Sequence, residues 1–571
     1  MEQANNLYQQ WLAHCSDPAL HADLLAAKGN EAEITDRFYR VLSFGTAGLR
    51  GVLGAGTNRM NLYTVGAATQ GLAGYLREKY TAASVAIAYD SRHNSQLFAE
   101  TAAAILAANG IHVWLYRELM PTPALSFAIM HLHCQGGIVI TASHNPAKYN
   151  GYKVYGEDAS QISPEVAADI EKRISAVDYW TGIPQATLEE GLNSGKIEYI
   201  SEETIEAYLS AVLAEQVDAE VCRRVPLSVV YTPLNGTGNR CVRTVLKRIG
   251  VQKLTVVPEQ ENPDGDFPTC PYPNPEEESA MQKGLELAEK VGGDILLATD
   301  PDADRAGVAV RHHGSFHRLT GNEIGVLMLR YIVQRRRELG VLPKNPVAVK
   351  SLVSTKLADR LASEMGVQMI DVLTGFKFIG EQIALLEQKG EVDRFVLGFE
   401  ESSGYLTGPH ARDKDAVNAA MIICEMTAYY KEKGQTLLDV LDDIYAVCGR
   451  YLSVVDSYTF EGADGSAKMA AMLGSLHSEH PQEIGGYPVT AVGDYLSLRR
   501  TFKDKRAEEE IHLPASDILE YTLENGASVI VRPSGTEPKI KVYYSVVAKT
   551  LEEARKIYET AAAGVKKMLG L

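Results

Sequence analysis

Residues Gly136–Pro146 read GGIVITASHNP, an apolar run that stops in a small hydroxyl, a ring base, an amide and a proline. The run has the length and composition of a buried strand, whereas TASHNP (Thr141–Pro146) is too polar for a core. The junction predicts a serine on a turn at a strand end, where open α/β sheets place their ligands. Upstream, SVAIAYD (84–90) reads as another buried strand and NSQLFAETAAAILAANG (94–110) as a helix stopped at Gly110. IHVWLY (111–116) is the next strand, so the segment is a β-α-β unit.

The alternation recurs twice. PLSVVYTPL, a helix over about 237–249, KLTVVPE, a helix over about 275–291 and GDILLATD form a second series. PVAVKSLV, a helix from about Thr355, QMIDVL, a helix from about Phe376 and RFVLGFE form a third. The tail changes character. RYLSVVDSYTF, a helix over about 467–476, and DILEYTL and ASVIVRP flanking Asn525-Gly526 predict antiparallel strands with a tight hairpin, before a last helix over about 550–568. The expected architecture is three related α/β domains (1–207, 208–322 and 323–448) followed by an α+β domain (449–571). The first 40 residues read as helical and partly exposed. SFGTAGLRGVLGAGTNRMN (43–61) reads as a glycine-rich loop, and the Pro- and Gly-rich 258–275 as a long surface loop.

The chain has 571 residues, 45% hydrophobic and 23% charged, with a formal net charge of −17. That balance argues against nucleic-acid or anionic-membrane binding, which needs clustered Lys and Arg, but leaves room for a small phosphorylated ligand. Seven scattered cysteines with no C-x-x-C pair fit free thiols in a reducing compartment. There is no basic-then-apolar leader and no run near ~18 apolar residues, so a cytoplasmic protein is expected.

Four strand-end or loop motifs could carry chemistry. In TASHNP, Ser143 is an activated or modified serine, or part of an Asx-turn before Pro146. Neighbours on a strand point to opposite faces, so Ser143 and His144 need not touch. With no G-x-S-x-G elbow, a serine hydrolase is a poor fit. In TDPDADR, alternation along an extended segment would aim Asp300, Asp302 and Asp304 at one point. Three anions there invite a hard divalent cation, Mg²⁺ in particular; Arg305 and Arg311 occupy positions where an EF-hand needs Gly and Glu. In GFEESSGY, Glu400 and Ser402 can face one hydroxyl-rich ligand. In RPSGTEPK, Arg532, Ser534, Gly535 and Thr536 make a phosphate cradle. His131 and His133 read as core or surface residues and the pair His312-His313 as a turn, and no G-x-x-x-x-G-K-[ST] loop supports ATP use.

Together, in this order, the four motifs resemble those of the α-D-phosphohexomutases, the phosphoglucomutase and phosphomannomutase superfamily, from Phe44 to Tyr543. The resemblance implies four domains around a central active-site cleft. It implies that Ser143 carries a phosphoryl group and, with Asp300, Asp302 and Asp304, holds one Mg²⁺. Arg50 and Arg305 would line the transfer site, and His144 and Lys153 would handle protons. Thr374, Lys377, Glu400 and Ser402 would contact the sugar; Arg532, Ser534, Gly535 and Thr536 would hold the phosphate not in transfer. The implied activity interconverts glucose 1-phosphate and glucose 6-phosphate, with glucose 1,6-bisphosphate as activator, by a monomer or homodimer whose partners are sugar phosphates. Phe399, and Ser403 before Gly404, depart from the usual sugar loop, while YNGYKVY and TGFKFIG resemble the long branch that includes phosphopentomutases. Pentose or mannose phosphates, bisphosphate synthesis and a catalytically dead binding protein stay open as alternatives.

Overall fold

The computed structural model describes residues 2–45, 48–460, 462–503, 508–533 and 539–571. Its first sheet runs Gly48–Val52, Tyr149–Gly156, Gly136–Ile140, Ser84–Tyr89, His112–Leu115, Ile197–Tyr199. The second runs Ser315–Leu319, Ala306–His312, Ile295–Thr299, Ser228–Thr232, Lys253–Val256. The third runs Gln368–Val372, Val347–Ser351, Phe395–Glu400, Gly404–Leu406. One plan underlies all three. A strand that ends in a candidate motif lies between a parallel neighbour and an antiparallel return strand: Gly136–Ile140, Ile295–Thr299 and Phe395–Glu400. All three strands are buried along their whole length, which is why they read as continuous apolar runs.

These units share one hydrophobic core that extends from Ala86 on the first sheet to Cys448. The expected limits at 207/208 and 322/323 fall inside the helices Glu202–Ala214 and Gly321–Glu338, which connect adjacent sheets. The tail has a core of its own, beneath an antiparallel sheet that includes Arg450–Thr459, Leu519–Leu523, Ser528–Pro533 and Lys539–Ala548. The Asn525-Gly526 hairpin is present, with Gly526 at φ +80°. All seven cysteines are free and buried, and no described helix is long and apolar enough to cross a membrane.

Two stretches differ from the sequence reading. Within 43–61, Gly48–Val52 is a strand paired to Tyr149–Gly156. Its glycine serves close approach: at Gly48 (φ +145°) a Cβ would lie 1.9 Å from the Tyr152 carbonyl oxygen. The stretch 258–275 is not simply a surface loop. It opens with a short helix, Pro258–Glu261, and buries Gln260, Phe267 and Cys270. Helix Ala416–Glu432, which the pattern did not reveal, is buried on nearly every side and so lacks an amphipathic period.

That helix carries Glu425 into the core. Its Oε2 accepts the Val217 and Asp218 backbone N–H groups (3.0 and 3.2 Å) and the Tyr331 hydroxyl (3.2 Å), tying the link between the first two units to the third. Burial pushes its carboxyl up to about 7 despite these bonds. The native state therefore keeps a proton that the unfolded chain releases from about pH 4.5 upward. Stability from this group is fully present below about pH 4.5 and is lost as pH rises through about 7. Glu425→Gln should remove that component. In urea titrations the variant is expected to gain on wild type by up to roughly 3 kcal/mol between pH 4.5 and 8. A difference that stays constant with pH would contradict the assignment.

Candidate active site

Ser143 sits at the end of its strand in the left-handed region (φ +52°) and is 3% exposed. A non-glycine residue there costs ~1–3 kcal/mol, so its surroundings must impose the conformation. The Thr141 Oγ1 accepts the Ser143 N–H at 2.8 Å. Arg92, which the motif reading missed, does more. Its guanidinium donates to the carbonyls of Ser143, Asn145, Pro146 and Tyr149. Asp90 pairs with Arg92 at 3.3 Å, and Phe267 of the second unit lies under the guanidinium at 5.0 Å. His93 beside it reaches Asp266 at 2.7 Å. Burial pushes Asp90 up and Arg92 down, as desolvation of an enclosed ion pair does.

The left-handed turn also breaks strand alternation, so Ser143 and His144 do meet: Oγ lies 3.1 Å from the His144 Nδ1. Burial first, then Arg305 and Arg50, hold that imidazole well below the usual histidine range. Across the unit boundary, Ser143 Oγ donates to Asp300 Oδ2 at 2.8 Å.

Asp300, Asp302 and Asp304 do converge, with ligand atoms within 4.8 Å of one another and all three residues buried. The cause is a turn rather than an extended strand. Ala303 is left-handed (φ +50°), and Asp300 Oδ1 accepts the N–H groups of Asp304 and Arg305 (3.1 and 3.0 Å). Burial, with Asp302 and Asp304 adding, pushes Asp300 well up. Burial also acts against the Asp302 charge, but Lys153 overcomes it and holds that carboxyl low. Asp302 Oδ1 and Asp304 Oδ1 are buried without a hydrogen-bond partner. Orphaned carboxylate oxygens in an all-oxygen cluster fit a hard divalent cation.

Protein cations surround the cluster. Lys153 Nζ is 3.0 Å from Asp302, and Lys414 Nζ is 3.2 Å from Asp304 and 3.0 Å from Asp413. Arg305 lies 3.9 Å from Asp304 and 3.5 Å from Glu276, and Arg50 reaches Asn145 at 3.5 Å. Lys414 and Asp413, in HARDKDA, lacked any motif signal that the reading used. The metal loop is stitched to the third unit through backbone bonds from Ala306 to Ser403 (3.0 Å) and from Ala416 to Ala303 (3.1 Å).

The remaining candidates split. Glu400 is buried near Lys414 and accepts the Gly375 N–H at 2.8 Å, next in sequence to Thr374, whereas the Lys377 amine lies over the Phe378 ring at 5.3 Å. Burial pulls the Lys377 amine down. Ser402 lines a cavity of about 450 Å³ with Arg318, Asn322, Lys541 and Tyr543, between the second, third and fourth units. Arg532, next to last in its strand, pairs with Lys541. Ser534, Gly535 and Thr536 lie outside the described residues.

Comparison with known proteins agrees with this layout. Family models described as Phosphoglucomutase/phosphomannomutase, alpha/beta/alpha domains I, II and III match residues 41–179, 206–314 and 320–448, and the C-terminal domain matches 496–562. A phosphoglucomutase of Staphylococcus saprophyticus is 36% identical over 532 residues, covering 93% of this chain and 95% of its own. One of Staphylococcus epidermidis is 37% identical over 88% of this chain and 90% of its own. The open form of Paramecium parafusin, a phosphoglucomutase, has the same fold at a TM-score of 0.69 and 18% identity, over 93% of this chain and 96% of its own. Aspergillus fumigatus N-acetylphosphoglucosamine mutase, in complex with GlcNAc-6P and magnesium, matches at 0.51 and 15% identity, over 97% of this chain and all of its own.

The Arg92 cage yields a test. Arg92→Met leaves Asp90 buried without its partner and should cost about 3–5 kcal/mol in denaturant unfolding. The double variant Asp90→Asn/Arg92→Met should recover part of that loss, while amide exchange across 141–149 stays accelerated. An Arg92→Met protein within about 1 kcal/mol of wild type would show that the pair is not what holds the loop.

Proposed function

The chain belongs to the phosphoglucomutase/phosphomannomutase family, and we propose that it interconverts α-D-glucose 1-phosphate and glucose 6-phosphate through a phosphorylated Ser143. The observation that carries this reading is the contact of Ser143 Oγ with a buried aspartate triad from another unit, ringed by Lys153, Lys414 and Arg305. Asp300, Asp302 and Asp304, with an oxygen on Ser143, would hold Mg²⁺, which when bound neutralises charge on the phosphoryl oxygens.

The chain's own residues do the rest. The bond from Ser143 Oγ to phosphorus breaks as one forms from the substrate's free hydroxyl oxygen, giving glucose 1,6-bisphosphate. His144, neutral and beside Oγ, accepts the hydroxyl proton and returns one in the reverse step, while the Lys153 ammonium offsets the charge that develops there. Arg50 and Arg305 face the moving phosphoryl group. Glu400 and Ser402, with Thr374 and Lys377, bind sugar hydroxyls, and Arg532 with Ser534, Gly535 and Thr536 holds the second phosphate. The bisphosphate then turns over, and Ser143 takes back the other phosphate. Closure of the fourth unit over the cleft would exclude water during that exchange. Added glucose 1,6-bisphosphate would prime an unphosphorylated enzyme.

Initial rates on glucose 1-phosphate, mannose 1-phosphate and ribose 1-phosphate, with Mg²⁺ and the matching bisphosphate, test the proposal. Glucose 1-phosphate should be preferred, and Ser143→Ala should lower turnover by at least about three orders of magnitude. Chelation should abolish turnover, and Mg²⁺ should restore it. Faster turnover of ribose 1-phosphate would overturn the glucose assignment, and an active Ser143→Ala enzyme would overturn the mechanism.

A further inference from the structure

The hairpin formed by Ala306–His312 and Ser315–Leu319 carries three of the chain's fourteen histidines within six residues, His312, His313 and His317. Nothing in the phosphoryl-transfer chemistry uses them. In the ladder, Val310 lies opposite His317 and His312 opposite Ser315, so His312 and His317 leave the same face. Their rings are 5.8 Å apart. His313 would point away in a straight strand. Instead it is left-handed (φ +47°), and its ring folds back to 3.9 Å from that of His312. His313 and Gly314 (φ +90°) are the two central residues of the hairpin turn, which needs positive φ at both.

The hairpin faces the start of helix Leu437–Cys448 in the third unit. There Asp439 Oδ2 accepts both the N–H and the hydroxyl of Thr436 (2.7 and 2.8 Å), which leaves Oδ1 turned toward His312 Nδ1 at 3.9 Å. Thr436 Oγ1 also lies 2.8 Å from His312 Nδ1 and fixes the orientation of that ring. One ligand atom each from His312, His313 and Asp439 lies within 4.8 Å of the other two. Two imidazoles and a carboxylate suit a borderline cation such as Zn²⁺, whereas an all-carboxylate triad suits hard Mg²⁺.

We propose that His312, His313 and Asp439, with a water as fourth ligand, bind one zinc ion that pins the second unit's hairpin to the third unit's helix. The site is separate from the aspartate triad in its residues and in its donor chemistry. His313 is exposed, so His313→Ala should fold and keep its Mg²⁺-dependent turnover.

The test uses the untagged full chain, stripped with chelator and dialysed against Zn²⁺ at saturating Mg²⁺, with bound zinc counted by elemental analysis. Wild type is expected to hold one zinc equivalent more than His312→Ala/His313→Ala, and His313→Ala alone to bind it at least ~10-fold more weakly. Zinc should raise the melting temperature of wild type but not of the double variant. Asp439→Asn, whose side-chain oxygen can still cap the helix, should also lose the extra equivalent. Equal zinc content in wild type and in either His312→Ala/His313→Ala or Asp439→Asn would overturn the proposal.

Discussion

Three carboxylates buried within a few ångströms of one another, one of them (Asp300) in contact with Ser143, repel one another, and much of the surrounding structure offsets that repulsion. Lys153 comes from the first unit, Arg305 from the metal loop and Lys414 from the third unit. Two buried carboxylate oxygens, Asp302 Oδ1 and Asp304 Oδ1, have no hydrogen-bond partner, and a divalent cation would satisfy both. The same need explains why the three α/β units share a core rather than sitting as separate beads. Charges supplied by different units can cancel only if those units are fixed relative to one another.

The fold was largely legible because its key strands are buried on both faces and stop abruptly in polar loops. GGIVI, DILLAT and RFVL each announce a strand, and the Asn525-Gly526 step announces a hairpin. The order of the loops made the candidate site legible too. What escaped were contacts between segments remote in sequence. Arg92 lies in DSRHNS, a stretch that looks like a helix entrance, yet its guanidinium cages a loop some fifty residues away. Lys414 and Asp413 sit in HARDKDA, which has no apolar pattern to fix its place. Phe267 lies in a Pro- and Gly-rich stretch whose composition says loop, but it packs under Arg92. Ser143 and Ala303 adopt left-handed backbone that neither residue type signals, so strand alternation missed the contact of Ser143 with His144, and the aspartates converge as expected but through a turn rather than an extended strand.

The fourth unit follows different physics. Its core is its own, and it meets the third unit through an apolar patch, where Leu352, Val353 and Leu373 pack against Tyr495, Ile518 and Tyr543. Beside the patch runs an ionic chain in which Lys356 reaches Glu520 at 3.6 Å and Glu520 pairs with Arg500 at 2.7 Å. Gly449 (φ +90°) joins helix Leu437–Cys448 of the third unit to the first strand of the fourth, Arg450–Thr459.

The most direct measurement loads Ser143 with ³²P and follows one turnover. Labelled enzyme is mixed with unlabelled glucose 1-phosphate and Mg²⁺, quenched within milliseconds, and the products are separated. The label is expected to leave Ser143 and appear in glucose 1,6-bisphosphate and glucose 6-phosphate at the rate of catalysis. Label that stays on the serine through many turnovers, or that leaves only as inorganic phosphate, would contradict a phosphoserine shuttle.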